Sequence, residues 1–448
     1  MFESGCDPPY NLAREAQDNL SYLGFLERKA RQVPTVGAEV DEVDFHPVLH
    51  DWQREATAWA VRKGRAALFW DCGLGKTFAQ LEWARLSADR ALIVAPLSVA
   101  RQTIREAGKI DLDVRFVRSD DDLDGDGIYI TNYELADRFD PTAFGAVVLD
   151  ESSILKNVDG STRKDLTSRF AAVPRRLACT ATPAPNDVAE LTNHAEFLGV
   201  MSRAEMLAAY FVNDEREWRL KGHAAEAMYH WMSGWAMALR QPSDLGYSDE
   251  GYVLPPLSIL PEVVPVEMPV EGQLFAADLG GIGGRAQVRR HTLDARAERA
   301  VELAQGEGQW IVWCGLNDEA RAVAEALSDA VNVEGSWTPD DKATALEGFQ
   351  DGGIRVLVTK PSIAGFGMNF QNAHRMVFVG LSDSYEAYYQ AIRRCHRFGQ
   401  TKPVEAHIVV SELEHKIVDN VRRKEAEAGR SMETLIRYLQ PEREVVPR

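Results

Sequence analysis

Two blocks of short apolar segments, each alternating with stretches of helical spacing, constrain the fold of this chain most strongly. In the first block the segments are ALIVAP (91–96), GIYIT (127–131), AVVLD (146–150) and RRLACT (175–180). In the second block they are QWIVWCG (309–315), IRVLVT (354–359), RMVFVG (375–380) and EAHIVV (405–410). Strands that alternate with helices form a parallel sheet with helices on both faces. The sequence therefore predicts an α/β protein with two lobes of similar size.

The segments around these blocks predict the domain limits. Residues 11–32 place leucines among charges at helical spacing, which indicates a helical N-terminal extension. The alternation lapses after residue 200 in a tryptophan-rich stretch of helical character, and the Gly-rich string LGGIGG (279–284) indicates a flexible connection. The expected domains are an N-terminal extension, a first lobe, a small helical insert with its linker, and a second lobe that ends in a helix: residues 1–44, 45–200, 201–265 and 266–448.

Composition favours a cytoplasmic protein. The apolar runs are shorter than the roughly 20 residues needed to span a bilayer. The first residues, MFESGCDPPYN, have neither the basic start nor the apolar core of a signal peptide. The cysteines are scattered without CxxC spacing, which favours neither a disulfide framework nor a zinc site: Cys6, Cys72, Cys179, Cys314 and Cys395. We therefore expect a monomer with no membrane partner.

The net charge of −18 argues against indiscriminate nucleic-acid binding, which needs many lysines and arginines to displace counterions. Basic residues are nevertheless clustered at 393–402 and 422–424, whereas acidic residues are concentrated at 120–126. A locally basic track remains compatible with this composition, so charge alone leaves the partner open.

The string LFWDCGLGKT (68–77) predicts a phosphate-binding loop between a short strand and a helix. Glycines let backbone N–H groups close around phosphates, and the helix N-terminus favours negative charge. A chance Gly-rich turn is the alternative, because Trp70 stands where the usual pattern begins with a glycine. On the phosphate-loop interpretation, Lys76 reaches the β- and γ-phosphates of ATP and Thr77 holds Mg²⁺. The candidate residues are Gly73, Gly75, Lys76 and Thr77.

The string AVVLDESS supports the same interpretation, because an apolar strand ends in two acids, Asp150 and Glu151. A paired acid at the carboxyl end of a strand beside a phosphate loop suits ATP hydrolysis. Asp150 would bind Mg²⁺ through water, and Glu151 would orient the attacking water. The alternative is a solvated acidic turn.

Several strings together resemble superfamily-two helicases, and among them the Swi/Snf type. In the first half these are GLGKT, DESS followed by Lys156-Asn157, and CTATPAPNDVAELTNHAEFL (179–198). In the second half they are GSW (335–337), SIAGFGMNF (362–370) and YYQAIRRCHRFGQTKPV (388–404), of which the last is the most specific. The wording of SIAGFGMNF and VGLSDSYEAYYQ is similar to that of bacterial and bacteriophage members. The resemblance implies two RecA-like lobes with ATP and Mg²⁺ bound in the cleft between them.

The resemblance also implies roles for residues of the nucleotide site. Gln53 matches the glutamine that recognises adenine, and Thr180 and Thr182 match the segment that couples the nucleotide site to nucleic acid. Arg394 and Arg397 match the two arginines that reach the γ-phosphate from the second lobe. A planar, permanently charged guanidinium suits the charge that develops on the transferred phosphoryl group.

Further second-lobe residues follow from the same resemblance and from helical geometry. Gln390 lies one helical turn before Arg394, so both side chains can face the cleft and Gln390 can join the coupling group. Gly365, Gly367 and Asn369 lie in the matching second-lobe loop, where the glycines are assigned to the nucleotide and Asn369 to nucleic acid.

Nucleic-acid contacts are expected in APLSV (95–99), TNYE (131–134) and the pair Gly335-Ser336, which resemble backbone-contacting segments of the family. Small hydroxyl residues and exposed amides suit phosphate contacts that position a protein without recognising base sequence. An ordinary turn at a strand end is the alternative for each. The candidates are Ser98, Thr131, Asn132, Tyr133, Ser336 and Asn369.

The chain departs from the family pattern at several positions. Ser153 replaces the histidine that often links the acid pair to the coupling segment, and Arg240 is the one expected counterpart of the family's RR-x-K-x-D-V segment. Arg393, beside the two candidate arginines, is expected to tolerate alanine far better than Arg397 if it faces solvent.

These features predict a DNA-dependent ATPase that moves along duplex or branched DNA, with single strands as a further possibility. A strand-separating or branch-migrating helicase of phage or bacterial replication or recombination is the alternative within the enzyme class. A non-hydrolysing nucleic-acid clamp is the alternative from another class, and Lys76, Glu151, Arg394 and Arg397 argue against it.

Overall fold

The structure is a computed structural model that describes residues 33–156, 160–214, 218–265, 289–364, 368–381, 384–412 and 415–439. Most of the expected N-terminal extension, the LGGIGG connection, and both Gly365 and Gly367 lie outside these ranges.

The first lobe is built on a seven-stranded parallel sheet with the order β3-β4-β2-β5-β6-β1-β9. A separate antiparallel hairpin, β7–β8, precedes the last of these strands. The strands are β1 (Arg65–Trp70), β2 (Arg90–Ala95), β3 (Val114–Phe116), β4 (Gly127–Asn132), β5 (Ala146–Asp150), β6 (Arg175–Cys179), β7 (Phe211–Asn213), β8 (Trp218–Leu220) and β9 (Ala236–Leu239). The helices are α1 (Asp51–Lys63), α2 (Lys76–Ser87), α3 (Leu97–Gly108), α4 (Ser161–Arg169), α5 (Leu191–Leu198), α6 (Arg203–Tyr210) and α7 (Ala225–Ser233).

The second lobe is built on a six-stranded parallel sheet with the order β10-β15-β14-β11-β13-β12. Its strands are β10 (Leu257–Val264), β11 (Trp310–Cys314), β12 (Ala330–Asn332), β13 (Val356–Thr359), β14 (Arg375–Val379) and β15 (Val404–Ser411). Its helices are α8 (Leu293–Ala304), α9 (Asn317–Ala326), α10 (Pro339–Gln350), α11 (Pro361–Ala364), α12 (Tyr385–Ile392) and α13 (His415–Tyr438).

Each central strand is apolar along its whole length because both faces of its sheet are covered. In β1, Ala67 and Phe69 enter one apolar core while Leu68 and Trp70 enter the core on the opposite face. Side chains alternate between the faces of a strand, so a sheet covered on both sides requires continuous apolar runs. The prediction of two α/β lobes, each with a mostly parallel sheet between helices, is confirmed.

The structure divides residues 201–265 differently from the predicted helical insert. Met206, Trp231 and Trp235 are buried in the same core as Phe69 of β1, and β9 pairs in parallel with β1 at the edge of the first sheet. Strand β10 instead pairs with β15 and forms an edge of the second sheet. Residues up to β9 therefore complete the first lobe, and the connection between the lobes begins after them.

Helix α13 contacts both lobes, although the sequence placed it in the second. Near its start, Val418 and Val421 are buried in the second-lobe core. At its far end, Leu435 and the following Leu439 are buried in the first-lobe core. At about 1.5 Å per residue, its 24 residues extend about 36 Å, which is enough to span the two lobes. Among the helices that the structure describes, none is long and apolar enough to cross a membrane.

Candidate active site between the lobes

The phosphate loop connects β1 to α2 and depends on two glycines in left-handed conformations. Gly73 has φ of 88° and Gly75 has φ of 75°, values that L side chains rarely adopt. A Cβ on Gly73 would also lie 2.9 Å from the backbone nitrogen of Phe398 in the second lobe, and a Cβ on Gly75 would collide with the side chain of Gln53. Glycine is therefore required at both positions by conformation and by space.

Lys76 begins α2 and folds back over the loop. Its Nζ donates hydrogen bonds to the backbone oxygens of Trp70, at 2.8 Å, and Asp71, at 3.0 Å. An ammonium group has three N–H donors, so one remains for an anion at the helix N-terminus.

Gln53 connects α1 to the phosphate loop. Its Nε2 donates to the Leu74 carbonyl and its Oε1 accepts from the His50 backbone N–H, both at 2.9 Å. The carboxamide keeps one further N–H and one further lone pair. A glutamine side chain can recognise adenine through the N6 and N7 positions with this donor and acceptor pair. Gln53 lies beside the loop, and its role in adenine recognition stays a prediction.

Asp150 and Glu151 end β5 in different environments. Asp150 is only 5% exposed, and its carboxylate accepts from Gln80 Nε2 at 2.9 Å and from the Glu151 backbone N–H at 3.0 Å. Burial, with a contribution from Glu151, raises the pKa of Asp150 to about 6. Glu151 has φ of 55°, a strained value for a side chain of this size, and its buried Oε2 has no hydrogen-bond partner among the described residues. Its carboxylate is therefore free to accept a proton from a water molecule.

The donors around Asp150 and Thr77 fit a magnesium ion. Mg²⁺ in phosphoryl-transfer sites takes one or two protein oxygens and draws its other ligands from phosphates and water. Both side chains line one cavity, and no group of three or more His, Cys, Asp and Glu that could hold a metal occurs among the residues with described positions. An ion here would thus depend on the bound phosphates, and it would stabilise the charged form of Asp150.

Two arginines of the second lobe face this cavity from the turn after α12. Arg394 is 5% exposed, and its guanidinium donates to Gln390 Oε1 at 2.7 Å and to the Met368 carbonyl at 3.1 Å. Arg397 differs, because no hydrogen bond or ion pair holds its guanidinium within the part of the chain that the structure covers. Burial, together with the repulsion from Arg394, lowers the pKa of Arg397 to about 10. Arg394 is therefore fixed by its own lobe, whereas among the described residues no carboxylate forms a hydrogen bond or close ion pair with Arg397, and Glu106 acts on it only at longer range.

The lobes enclose these groups in one cavity of about 90 Å³. Gln102 and Thr103 of α3 also line it, each with a buried oxygen that has no hydrogen-bond partner in the described part of the chain, and no sequence motif identified them. Asn369 lines the same cavity with an unpaired buried Oδ1, so its position favours the nucleotide over the nucleic acid. The lining residues are Cys72, Gly73, Gly75, Lys76, Thr77, Val99, Gln102, Thr103, Asp150, Glu151, Asn369, Arg394 and Arg397.

Arg393 does not face solvent, so the condition on which its tolerance of alanine was expected is not met. Its Nη2 lies 3.0 Å from Asp71 Oδ2, and Tyr389 donates from its hydroxyl to Asp71 Oδ1 at 2.6 Å. Burial alone would raise the pKa of Asp71, but Arg393 and Tyr389 outweigh it and lower that pKa. Asp71 lies inside the phosphate loop, so this three-residue contact, here called the interlobe clamp, joins the loop to the arginine segment.

The coupling segment (179–198) is hydrogen-bonded to the residues that follow the acid pair: His194 Nε2 lies 3.2 Å from Ser152 Oγ, and Asn193 Nδ2 donates to the Leu155 carbonyl at 2.8 Å. Thr180 Oγ1 accepts from the Thr182 backbone N–H at 3.1 Å, and Thr182 lines a cavity of about 350 Å³ with Asp71 and Arg393. Gln390, assigned to the same coupling group, orients Arg394 instead. Ser153, which stands where the family has a histidine, lines a different cleft between the lobes, together with Glu151 and Lys156.

The expected nucleic-acid residues are divided between surface and interior. Ser98 and Tyr133 line an interlobe cleft of about 570 Å³, as does Gly335, the neighbour of the exposed Ser336. Thr131 and Asn132 are buried at the end of β4, where Asn132 Oδ1 accepts from the Leu135 backbone N–H. Those two assignments are wrong, because buried side chains that end a strand cannot reach a nucleic-acid backbone.

Comparison with known proteins gives a match in the second lobe. Residues 295–399 match the family model described as the helicase conserved C-terminal domain. This range contains Asn369, Arg393, Arg394 and Arg397, so it includes the second-lobe side of the cavity and the clamp.

Two curated relatives and one solved structure are also similar. The mouse (Mus musculus) DNA annealing helicase and endonuclease ZRANB3 is 23% identical over 435 residues, covering 83% of this chain and 40% of that protein. The TATA-binding protein-associated factor mot1 of Schizosaccharomyces pombe is 28% identical over 145 residues, covering 30% of this chain and 7% of that protein. The Sulfolobus solfataricus SWI2/SNF2 ATPase core in complex with dsDNA is 17% identical with a TM-score of 0.43, covering 90% of this chain and 99% of that one. The chain thus spans less than half the length of either curated relative.

Proposed function

We propose that this chain is a Swi/Snf-type, DNA-dependent ATPase that moves along DNA. One observation carries the proposal: the phosphate loop and acid pair of the first lobe and two arginines of the second lobe line the same cavity. Each half of the site is incomplete alone. Hydrolysis then requires the lobes to close, which is the property that a motor needs to convert turnover into movement.

The roles of the residues follow from their contacts. Lys76 and the loop N–H groups hold the phosphates, while Thr77 and Asp150 hold Mg²⁺, which neutralises phosphate charge when bound. Glu151 accepts a proton from the water that attacks the γ-phosphorus, and the bond to the β-phosphate oxygen breaks to give ADP and phosphate. Arg394 and Arg397 stabilise the negative charge that develops during this transfer. Release of phosphate removes the negative charge that groups of both lobes contact, so the cleft can open.

DNA is the proposed partner because Ser98, Tyr133 and Glu151 line the same cleft, and because the relative ZRANB3 is a DNA annealing helicase. We expect ATP turnover to be low without nucleic acid and to rise about 10-fold or more with duplex or branched DNA, which corresponds to a barrier lower by about 1.4 kcal/mol or more. Steady-state phosphate release with duplex, branched and single-stranded DNA and with RNA measures this. Turnover that no nucleic acid changes would leave the motor proposal without support.

Two first-lobe variants are expected to fail in different ways. Lys76→Ala removes a positive charge from the bound phosphates, so it should weaken ATP binding about 10-fold or more and stop turnover. Glu151→Gln should retain ATP binding within about 2-fold and lose turnover, because an amide cannot accept the proton. Titration of a fluorescent ATP analogue, paired with phosphate release, separates the two. An equal loss of affinity in both variants would contradict the assignment.

A further inference from the structure

The interlobe cleft of about 570 Å³ is closed by ion pairs whose cations and anions belong to different lobes. On the first-lobe side the cations are Arg101 and Arg105 of α3 and Lys156 after β5. On the second-lobe side the anions are Asp340 and Glu347 of α10 and Glu386 of α12. The pairs are Arg101–Asp340 at 2.8 Å, Arg105–Glu347 and Lys156–Glu386.

The first-lobe cations are arranged in a way that suits a row of phosphates. Arg101 and Arg105 are four residues apart on α3, so they lie on one helix face with about 6 Å between their Cβ atoms. That spacing is similar to the distance between successive phosphates of one strand. Ser98, at the start of the same helix, and Ser153 contribute hydroxyl groups to the cleft wall. Cations in a row beside small hydroxyl residues are typical of contacts to a nucleic-acid backbone.

Two of these ion pairs are open to solvent. Arg101 and Arg105 are 44% and 47% exposed even while paired, so solvent and an incoming polyanion can reach them. Exposed ion pairs contribute little to stability, and a phosphate competes well with a single carboxylate for an arginine.

We propose that the cleft binds a nucleic-acid backbone by exchange, with strand phosphates replacing the carboxylates of Asp340 and Glu347 on Arg101 and Arg105. The Lys156–Glu386 pair takes no part in the exchange, because the Glu386 side chain is only 7% exposed. This inference rests on the proposed function and deepens it, because it names the phosphate-binding residues and their built-in competitors. The carboxylates keep the cleft neutral without nucleic acid and oppose binding of the backbone. They therefore set a threshold that limits binding in a chain of net charge −18.

The exchange model and a model in which the ion pairs only bridge the lobes predict different effects on DNA affinity when each member of one pair is removed. If the pairs act only to hold the lobes together, removing either partner has the same effect on DNA binding. If phosphates replace the carboxylates, Arg105→Ala weakens DNA binding whereas Glu347→Gln strengthens it. The pair Arg101→Ala and Asp340→Asn repeats the test at a second position.

The experiment measures the anisotropy of a labelled duplex and a labelled single strand with the full chain, without nucleotide, over a range of salt concentrations. We expect Arg105→Ala to weaken DNA binding about 5-fold. The slope of the logarithm of the binding constant against the logarithm of the salt concentration should fall in magnitude by about 0.7 to 0.9. Glu347→Gln should tighten DNA binding about 2- to 5-fold. Glu302→Gln is the matched control, because Glu302 pairs with Arg299 on the same lobe and should leave binding unchanged.

The outcomes separate this inference from the proposed function. A wild-type chain that binds DNA, with Glu347→Gln and Asp340→Asn unchanged or weaker, overturns the exchange and leaves the ATPase proposal standing. A wild-type chain that binds neither probe overturns both. If Glu302→Gln tightened DNA binding as much as Glu347→Gln does, the change in net charge alone would explain the effect, and the exchange would be overturned.

Discussion

Replacing Arg397 with alanine is expected to abolish nearly all DNA-stimulated ATP hydrolysis while ATP and DNA still bind. Arg397 faces the cavity of the phosphate loop from the opposite lobe, and no carboxylate within the covered residues pairs with it. The negative charge on the transferred phosphoryl group develops in the transition state, so this cation stabilises the transition state more than bound ATP. Its loss therefore lowers kcat with little change in KM. Arginines in this role contribute about 10³- to 10⁵-fold to the rate in related phosphoryl transfers.

The measurement is steady-state phosphate release at saturating duplex DNA, with ATP affinity determined separately. Arg397→Lys should rescue little, because a point charge on a flexible stem does not reproduce the planar guanidinium. Arg321→Ala is the matched control, since Arg321 is an exposed second-lobe arginine that pairs with Asp318 and Glu334. Wild-type turnover in Arg397→Ala would contradict its assignment to the developing charge.

The sequence predicted the strands inside each sheet and missed the strands at the edges, which are β3, β9, β10 and β12. Strands such as AVVLD and RMVFV combine burial on both faces with strong β propensity, so composition alone identified them. Strand β9, with the sequence AMAL, has no β-branched residue and follows a helix rich in aromatic residues. Its place beside β1 is decided by the tertiary packing of Trp235, which no local pattern records.

The same limit applies to the active site. Lys76, Thr77, Asp150 and Glu151 could be predicted because each half of the first-lobe site is contiguous in sequence. Arg393 could not, because its partner Asp71 precedes it by 322 residues and meets it only when the lobes close. Helical spacing fixes which residues share a face, but it does not say what that face contacts.

The interlobe clamp leads to the second large effect. We expect Arg393→Ala to lower kcat about 100-fold, although Arg393 does not line the nucleotide cavity. Arg393 is joined to the phosphate loop through Asp71 and directly precedes Arg394. Its loss frees the arginine segment from the loop, and a misplacement of about 1 Å at a reacting centre can cost about 10²-fold in rate. ATP affinity should change less than kcat, because Lys76 and Gln53 belong to the first lobe.

A double-mutant cycle that combines Arg393→Ala with Asp71→Asn tests whether the two residues act through their contact with each other or independently. Asp71 is buried, so Asp71→Asn leaves the charge of Arg393 without its partner, and breaking such a buried pair costs about 3 to 5 kcal/mol of stability. The double variant should be no slower than either single variant, and it should melt at a higher temperature than Asp71→Asn because no uncompensated charge remains.

Tyr389→Phe, which keeps the ring under Arg393 and removes only the hydroxyl bond to Asp71, should give a smaller loss of turnover. Turnover and melting temperature of the four variants provide the test. Additive losses in the double variant, or wild-type turnover in Arg393→Ala, would mean that closure positions the arginines without this contact.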